Sequence, residues 1–146
     1  MRFVKLRLVI QSDSNRITDA FLEADMLQGW WGVERSLIEK KAGGTYALTW
    51  NITDQGFGYV TTGIIREYIP GKKLAIDNYT YFHPQRSILG PMQLSIEVNQ
   101  LNDRESELHL IQSGYHEGED WDWYYEAVKG AWPIVSEGLK KYLENK

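Results

Sequence analysis

The sequence predicts an α+β domain in which a curved, seven-stranded antiparallel sheet wraps around a long C-terminal helix, with two short helices between the first and second strands. Three observations predict it. Toward the C-terminus, Trp121, Tyr125, Val128, Trp132, Val135, Leu139 and Tyr142 recur at alternating steps of four and three, which confines them to a sector roughly 100° wide on a helix. Asp122, Glu126, Lys129, Glu137, Lys140 and Glu144 fall on the other side. From Val33 to Ser113 the apolar period is two, the period of strands. Short turns separate these strands, which suits antiparallel neighbours, whereas parallel strands would need long crossovers.

Each element follows from its residues. Val4, Leu6, Leu8 and Ile10 alternate with Lys5 and Arg7, so the chain opens on a half-buried strand. Ser12 and Ser14 offer caps for a helix from about Asn15 to Glu23, with Ile17, Phe21 and Ala24 on its apolar side. A second short helix runs from a capping Asp25 to Gly32 and carries Trp30 and Trp31, at least one of which should turn inward. Six strands follow: Val33 to Lys40, Thr45 to Trp50, Gly58 to Tyr68, Leu74 to Tyr81, Gln93 to Leu101 and Glu105 to Gln112. Gly43-Gly44 and Pro70-Gly71 fit tight turns that need positive φ. One sheet face reads as wet. On the other face fall Tyr46, Leu48 and Trp50, then Leu94, Ile96 and Val98, then Leu108, Leu110 and Gln112. A helix of roughly 25 residues spans about 37 Å, comparable to seven strands spaced about 4.8 Å apart, so the terminal helix can cover that face.

Composition restricts the function. The 146 residues fit one domain, residues 1–146, and 13% aromatic residues with six tryptophans is a rich aromatic content. A net charge of −4 with scattered Lys and Arg argues against nucleic acid as a partner. The absence of cysteine excludes disulfides, thiolate metal sites and cysteine nucleophiles. The first residues alternate charge with apolar side chains instead of forming a signal-peptide core, and no apolar run approaches the roughly 18 residues of a membrane helix. A cytoplasmic location is therefore expected, and Asn51-Ile52-Thr53 and Asn78-Tyr79-Thr80 are chance glycosylation patterns.

The order strand, two short helices, six strands and long helix resembles the helix-grip architecture of the START and birch-pollen-allergen superfamily. Within it, the local motifs resemble the domain named for the activator of the Hsp90 ATPase. They are Trp30-Trp31-Gly32, Gly43-Gly44-Thr45-Tyr46, Gly56 to Tyr59, Ile69-Pro70-Gly71-Lys72-Lys73-Leu74, Leu108-His109-Leu110 with Ser113-Gly114-Tyr115, and Gly130-Ala131-Trp132 running to Leu139-Lys140-Lys141-Tyr142-Leu143. The resemblance covers nearly the whole chain. It implies a cavity between sheet and helix, used across the superfamily for lipids, sterols, hormones and aromatic products. The Hsp90 name comes from a eukaryotic co-chaperone with additional parts, for which this length leaves no room.

The expected function is accordingly a binding module for an apolar, lipid-like or aromatic small molecule. The alternative is a co-chaperone or other interaction protein acting through the terminal helix. The cavity-lining candidates are Trp30, Trp31, Tyr46, Trp50, Gln112, Trp121, Tyr125, Val128 and Trp132. Trp132, in the middle of the grip, reads first as core, as does the stripe from Val128 onward. Trp121 and Tyr125 lie ahead of Pro133, whose missing N–H should bend the helix and could let its first half act as a gate. Gln112 points inward by parity, so a protein group, the end of the long helix or a Trp indole, or else a ligand, must satisfy its amide. Glu117, Glu119, Asp120, Asp122 and Glu126 open a helix, where acids offset its dipole, and read as neither a metal site nor a catalytic pair. His83, His109 and His116 lack ligand spacing, and of them only His116, near the expected cavity mouth, could serve as an acid or base. No metal or cofactor is expected and no catalytic residue is assigned. A cavity of roughly 300 Å³ or more between sheet and helix would make binding credible.

Overall fold

A computed structural model describes residues 2–145. The first strand, β1 (Phe3–Ile10), leads into helices α1 (Ser14–Ala20) and α2 (Ala24–Trp31). Strands β2 (Arg35–Ile38), β3 (Thr45–Trp50), β4 (Tyr59–Ile69), β5 (Lys73–Phe82), β6 (Leu89–Gln100) and β7 (Ser106–Ser113) follow, and α3 (Glu119–Glu144) closes the domain. All seven strands form one open antiparallel sheet in the order β1-β7-β6-β5-β4-β3-β2. Strand β1 therefore pairs with the last strand, and α1 and α2 carry the chain across to the opposite edge.

The fold class and the order of elements agree with the sequence expectation, while several local expectations change. Helix α1 is capped by Asp13, whose side chain accepts from the Arg16 N–H at 3.0 Å, and not by Ser12 or Ser14. Ser12 is buried, and its carbonyl accepts from Ser106 Oγ at 2.8 Å instead. The helix stops at Ala20 because the Leu22 and Glu23 N–H groups turn back onto the Asp19 carbonyl. Helix α2 starts one residue before Asp25, with no side-chain cap, and ends as expected at Gly32 with φ 71°.

Two close contacts fix how these pieces sit. In the β4–β5 turn Gly71 has φ 74°, and its N–H donates to the buried Thr18 Oγ1 at 3.0 Å, which ties α1 to the turn. In β4, a Cβ on Gly63 would stand 2.4 Å from Ile76 Cγ2, so only glycine lets the two strands approach there. Opposite Gly63, β5 carries an extra residue: the register passes from Ile64↔Asp77 to Thr62↔Thr80, and Asn78 has φ 53°. This bulge reverses parity along β5. Leu74 and Ile76 face the core before it, and Tyr79 does so after it.

Helix α3 lies on the apolar sheet face and runs without a break through Pro133, whose ring is exposed. Its buried residues are Tyr124, Trp132, Ser136, Leu139 and Leu143, so the contact line is rotated from the stripe predicted by periodicity. Trp121, Tyr125, Val128, Val135 and Tyr142 are only half-buried. Lys140 Nζ donates to the Val9 carbonyl at 2.9 Å and the Gln11 N–H donates to Glu144 at 2.9 Å, which fastens the end of α3 beside the end of β1. Replacing Thr18 by the isosteric Val leaves the buried Gly71 N–H without its acceptor. A loss of about 1–3 kcal/mol is expected in urea unfolding, and a change below about 0.5 kcal/mol would show that this tie is not structural.

Candidate functional site

The candidate site is a cavity of about 240 Å³ between the first half of α3 and the sheet. The sheet supplies Trp50 from β3, Tyr59 and Thr61 from β4, Tyr79 and Tyr81 from β5, and Gln112 from β7. Trp31 closes it from α2. The helix contributes Trp123, Tyr124, Ala127, Val128, Ala131, Trp132 and Val135. Among these, Ala127 and Ala131 stand one helical turn apart and are exposed, so the opening lies along this flank of the helix.

Gln112 is the polar centre of the wall. Its Oε1 accepts from Trp132 Nε1 at 3.0 Å, while its Nε2 donates to the Tyr124 hydroxyl at 3.0 Å and lies 3.6 Å from Met92 Sδ. One amide on the sheet thus grips two residues eight positions apart on the helix. Around it the aromatic rings form a connected set. Trp31 lies 5.2 Å from both Trp50 and Trp132, Tyr81 stacks on Tyr124 at 4.9 Å, and Trp50 Nε1 donates to the Trp31 carbonyl at 3.1 Å.

The wall contains no carboxylate, amine or imidazole. Its titratable groups are phenols, and burial pushes three of them upward: Tyr79 well above the ordinary range, Tyr124 upward despite the hydrogen bond from Gln112, and Tyr81 up to about 12. Near neutral pH they are donors and π faces, not bases. His83 stands behind the wall, 5.3 Å from the ring of Tyr59 and 5.4 Å from that of Trp123, with Nδ1 accepting from the Gln85 N–H at 3.0 Å. Over the outer rim, Arg86 lies 3.7 Å from the Trp123 ring and pairs with Asp120 at 3.1 Å. Asp120 also accepts from Ser87 Oγ at 2.7 Å and from the Ser87 N–H at 3.0 Å. The hydrogen bonds from Ser87, then the bond and charge of Arg86, hold the Asp120 carboxyl below its usual range.

Of the nine residues expected to line a cavity, the structure brings together Trp31, Trp50, Gln112, Val128 and Trp132. The other four lie elsewhere. Trp30 is buried against Phe21 with Nε1 donating to the Ala20 carbonyl at 2.8 Å, and Tyr46 is fully buried with its hydroxyl donating to the Phe21 carbonyl at 2.8 Å. Trp121 packs on Tyr115 and His116, and Tyr125 packs on Tyr115 and beneath the Arg2 guanidinium at 4.8 Å. For Tyr125 the reason is rotational. Tyr124 and Ala131 lie about 60–80° to one side of the line through Trp121 and Leu139, whereas Tyr125 lies about 40° to the other. His116, exposed and on that other flank, donates nothing to the cavity, and its carbonyl accepts from Arg2. Tyr59, Thr61, Tyr79, Tyr81, Trp123, Tyr124, Ala127, Ala131 and Val135 were not expected to line it. The pair of alanines four apart beside aromatic neighbours was the signal available in the sequence.

A wider depression of about 510 Å³ lies outside, bordered by Asp77, Asn78, Gln93 and His116 among others. It lacks a continuous apolar wall, so the aromatic cavity is the better candidate despite its smaller volume.

The sequence profile of the family described as Activator of Hsp90 ATPase homolog 1-like protein matches residues 13–144. No curated protein matches the chain. Among solved structures, a Mesorhizobium loti protein superimposes with a TM-score of 0.75 at 19% identity, covering 99% of this chain and 98% of that one. The Aha1 dimer from Colwellia psychrerythraea gives 0.71 at 17% identity, covering 99% and 97%. CalU16 from Micromonospora echinospora gives 0.70 at 15% identity, covering 97% and 76%. At these identities the likeness is one of fold.

Two outcomes are expected. Gln112→Leu leaves the buried Trp132 N–H and the Tyr124 hydroxyl unpartnered and should cost about 2–4 kcal/mol in denaturant unfolding; an unchanged midpoint would show that the amide is dispensable. The raised phenols give stability a high-pH limit. Tyr81 has an ordinary value of 10.0 and about 12 in the fold, so between these values the unfolded chain has released a proton that the native chain keeps. Stability should be independent of this group below about pH 9 and fall as pH rises from about 10 to 12, followed by circular dichroism. A flat profile to pH 12 would contradict the burial of these rings.

Proposed function

The chain belongs to the Activator of Hsp90 ATPase homolog 1-like family, and from that membership and its aromatic cavity we propose that the protein is a binding module for a small apolar or aromatic molecule held between α3 and the sheet. The observation that carries this reading is the cavity itself: about 240 Å³, walled by tryptophan and tyrosine, and open at Ala127 and Ala131. Packed cores contain few voids larger than a water molecule. A space this size bordered by large rings is left unfilled because the residues that could fill it are alanines.

The volume narrows the ligand. It falls below the roughly 300 Å³ at which drug-sized sites begin, so a sterol or two-chain lipid is too large and a molecule of one or two rings fits. The alternative, a co-chaperone-like role through the terminal helix, has the family name behind it. Against it stands the burial of Trp132, Leu139 and Leu143 on the chain's own sheet, which occupies the stripe a helical partner would use.

Ala131→Trp tests the reading, because a large side chain at this exposed wall position enters the cavity without disturbing the buried contacts. Titration of the full chain with indole, followed by amide chemical shifts, should show saturable changes at β4, β5 and α3. In the variant the affinity should fall more than about tenfold while stability changes by less than about 0.5 kcal/mol. No saturable change with indole or larger aromatic compounds, or binding that survives in Ala131→Trp, would refute the proposal.

A further inference from the structure

We infer that the ligand of this cavity is a neutral aromatic molecule carrying a hydrogen-bond acceptor, such as a carbonyl oxygen, and that Tyr124 donates the bond that orients it. This rests on the binding reading above and goes beyond it in naming the polar group recognised.

The direction of the Gln112 network determines the donor. An indole N–H can only donate, so the Gln112 atom facing Trp132 Nε1 at 3.0 Å must be Oε1. The amide nitrogen then faces Tyr124 and must donate to it, at 3.0 Å. The Tyr124 oxygen is therefore an acceptor in this contact, and its own proton is directed elsewhere. Among the hydrogen bonds of the described residues, none takes that proton. Trp50 Nε1, another wall donor, is already engaged with the Trp31 carbonyl.

A second phenol without a partner lies beside the wall, at the border of the outer depression. Tyr115, whose ring lies 6.0 Å from that of Tyr124, has a buried hydroxyl with no partner. Burial pushes both phenols further above neutral pH, so each keeps its proton to donate. A donor without an acceptor in a wall of low polarity is met by a ligand that brings one. Charge restricts the ligand further. No wall side chain is a cation, and Arg86 at the rim is already paired with Asp120, so a carboxylate would enter without a counter-charge.

The experiment compares acetophenone, ethylbenzene and benzoate on the wild-type full chain and on Tyr124→Phe by amide chemical-shift titration. Acetophenone should lose about 3–10-fold in affinity on Tyr124→Phe, ethylbenzene should change less than about twofold, and benzoate should not saturate where acetophenone does. On the wild type, the carbonyl stretch of bound acetophenone should lie below its value in hexane. That reading decides the matter even if Tyr124→Phe, which strands the Gln112 amide, does not fold. A stretch at the hexane value, equal losses for acetophenone and ethylbenzene, or benzoate binding as tightly as acetophenone overturns the inference. If ethylbenzene binds but the carbonyl makes no difference, only this inference fails, whereas silence from all three compounds overturns the binding reading together with it.

Discussion

A buried amide must have its hydrogen bonds or destabilise the fold by about 1–3 kcal/mol, and Gln112 meets that requirement with two side chains of the helix, to which Met92 Sδ of the neighbouring strand adds a weaker contact. Around this contact the rest of the site is arranged. Because Trp132 and Tyr124 are held to one strand position, α3 cannot slide along the sheet or roll over it without losing two bonds at once. The half of the helix after Trp132 then settles on Leu139 and Leu143, and the half before it is held off the sheet by the rings of Tyr81 and Tyr124. The cavity is the space between these two modes of contact. A leucine at position 112 would pack as well by volume but would leave the rotation of the helix unspecified.

The same geometry explains what the sequence made legible. Period-two alternation located every strand to within a few residues, since one sheet face is wet and the other apolar, and β3 begins and ends where it was expected. The order of elements and the motif resemblance gave the architecture. Gln112 was legible as an inward amide from its parity with Leu108 and Leu110, and a Trp indole was among the partners expected for it, whereas the Tyr124 hydroxyl was not. What alternation could not supply is the effect of the bulge at Asp77 and Asn78, which turns Tyr79 inward. Nothing in a hydrophobicity pattern marks an extra residue in one strand. Gly63, which must face that bulge with no side chain, was the only local trace of it.

The helix misled for a related reason. A hydrophobic stripe gives weight to large side chains, and so it centred on Trp121 and Tyr125 in the first half. The cavity lies on the flank marked by small ones, Ala127 and Ala131, because a space exists only where nothing large fills it. Trp121 and Tyr125 are instead taken up by Tyr115, His116 and Arg2, covering the segment that leads into the helix. Pattern reasoning finds surfaces that are buried, and a binding site is a place where burial is incomplete.

Charge shows the same economy at the rim. The acids that open α3 were read as offsetting the helix dipole, and Glu119, Asp120 and Asp122 do occupy its first turn. Asp120, however, also accepts three hydrogen bonds from Arg86 and Ser87, and Arg86 lies over Trp123, so the segment between β5 and β6 is fastened to the helix beside the cavity. In making these contacts the arginine and the aspartate neutralise each other. A guanidinium left free at the same place would draw anions toward the opening; paired, it serves as a cover over an aromatic ring. Selection among ligands therefore falls to shape and to the few donors inside the wall, and in such a low-polarity site a single directed hydroxyl discriminates more than it would in water.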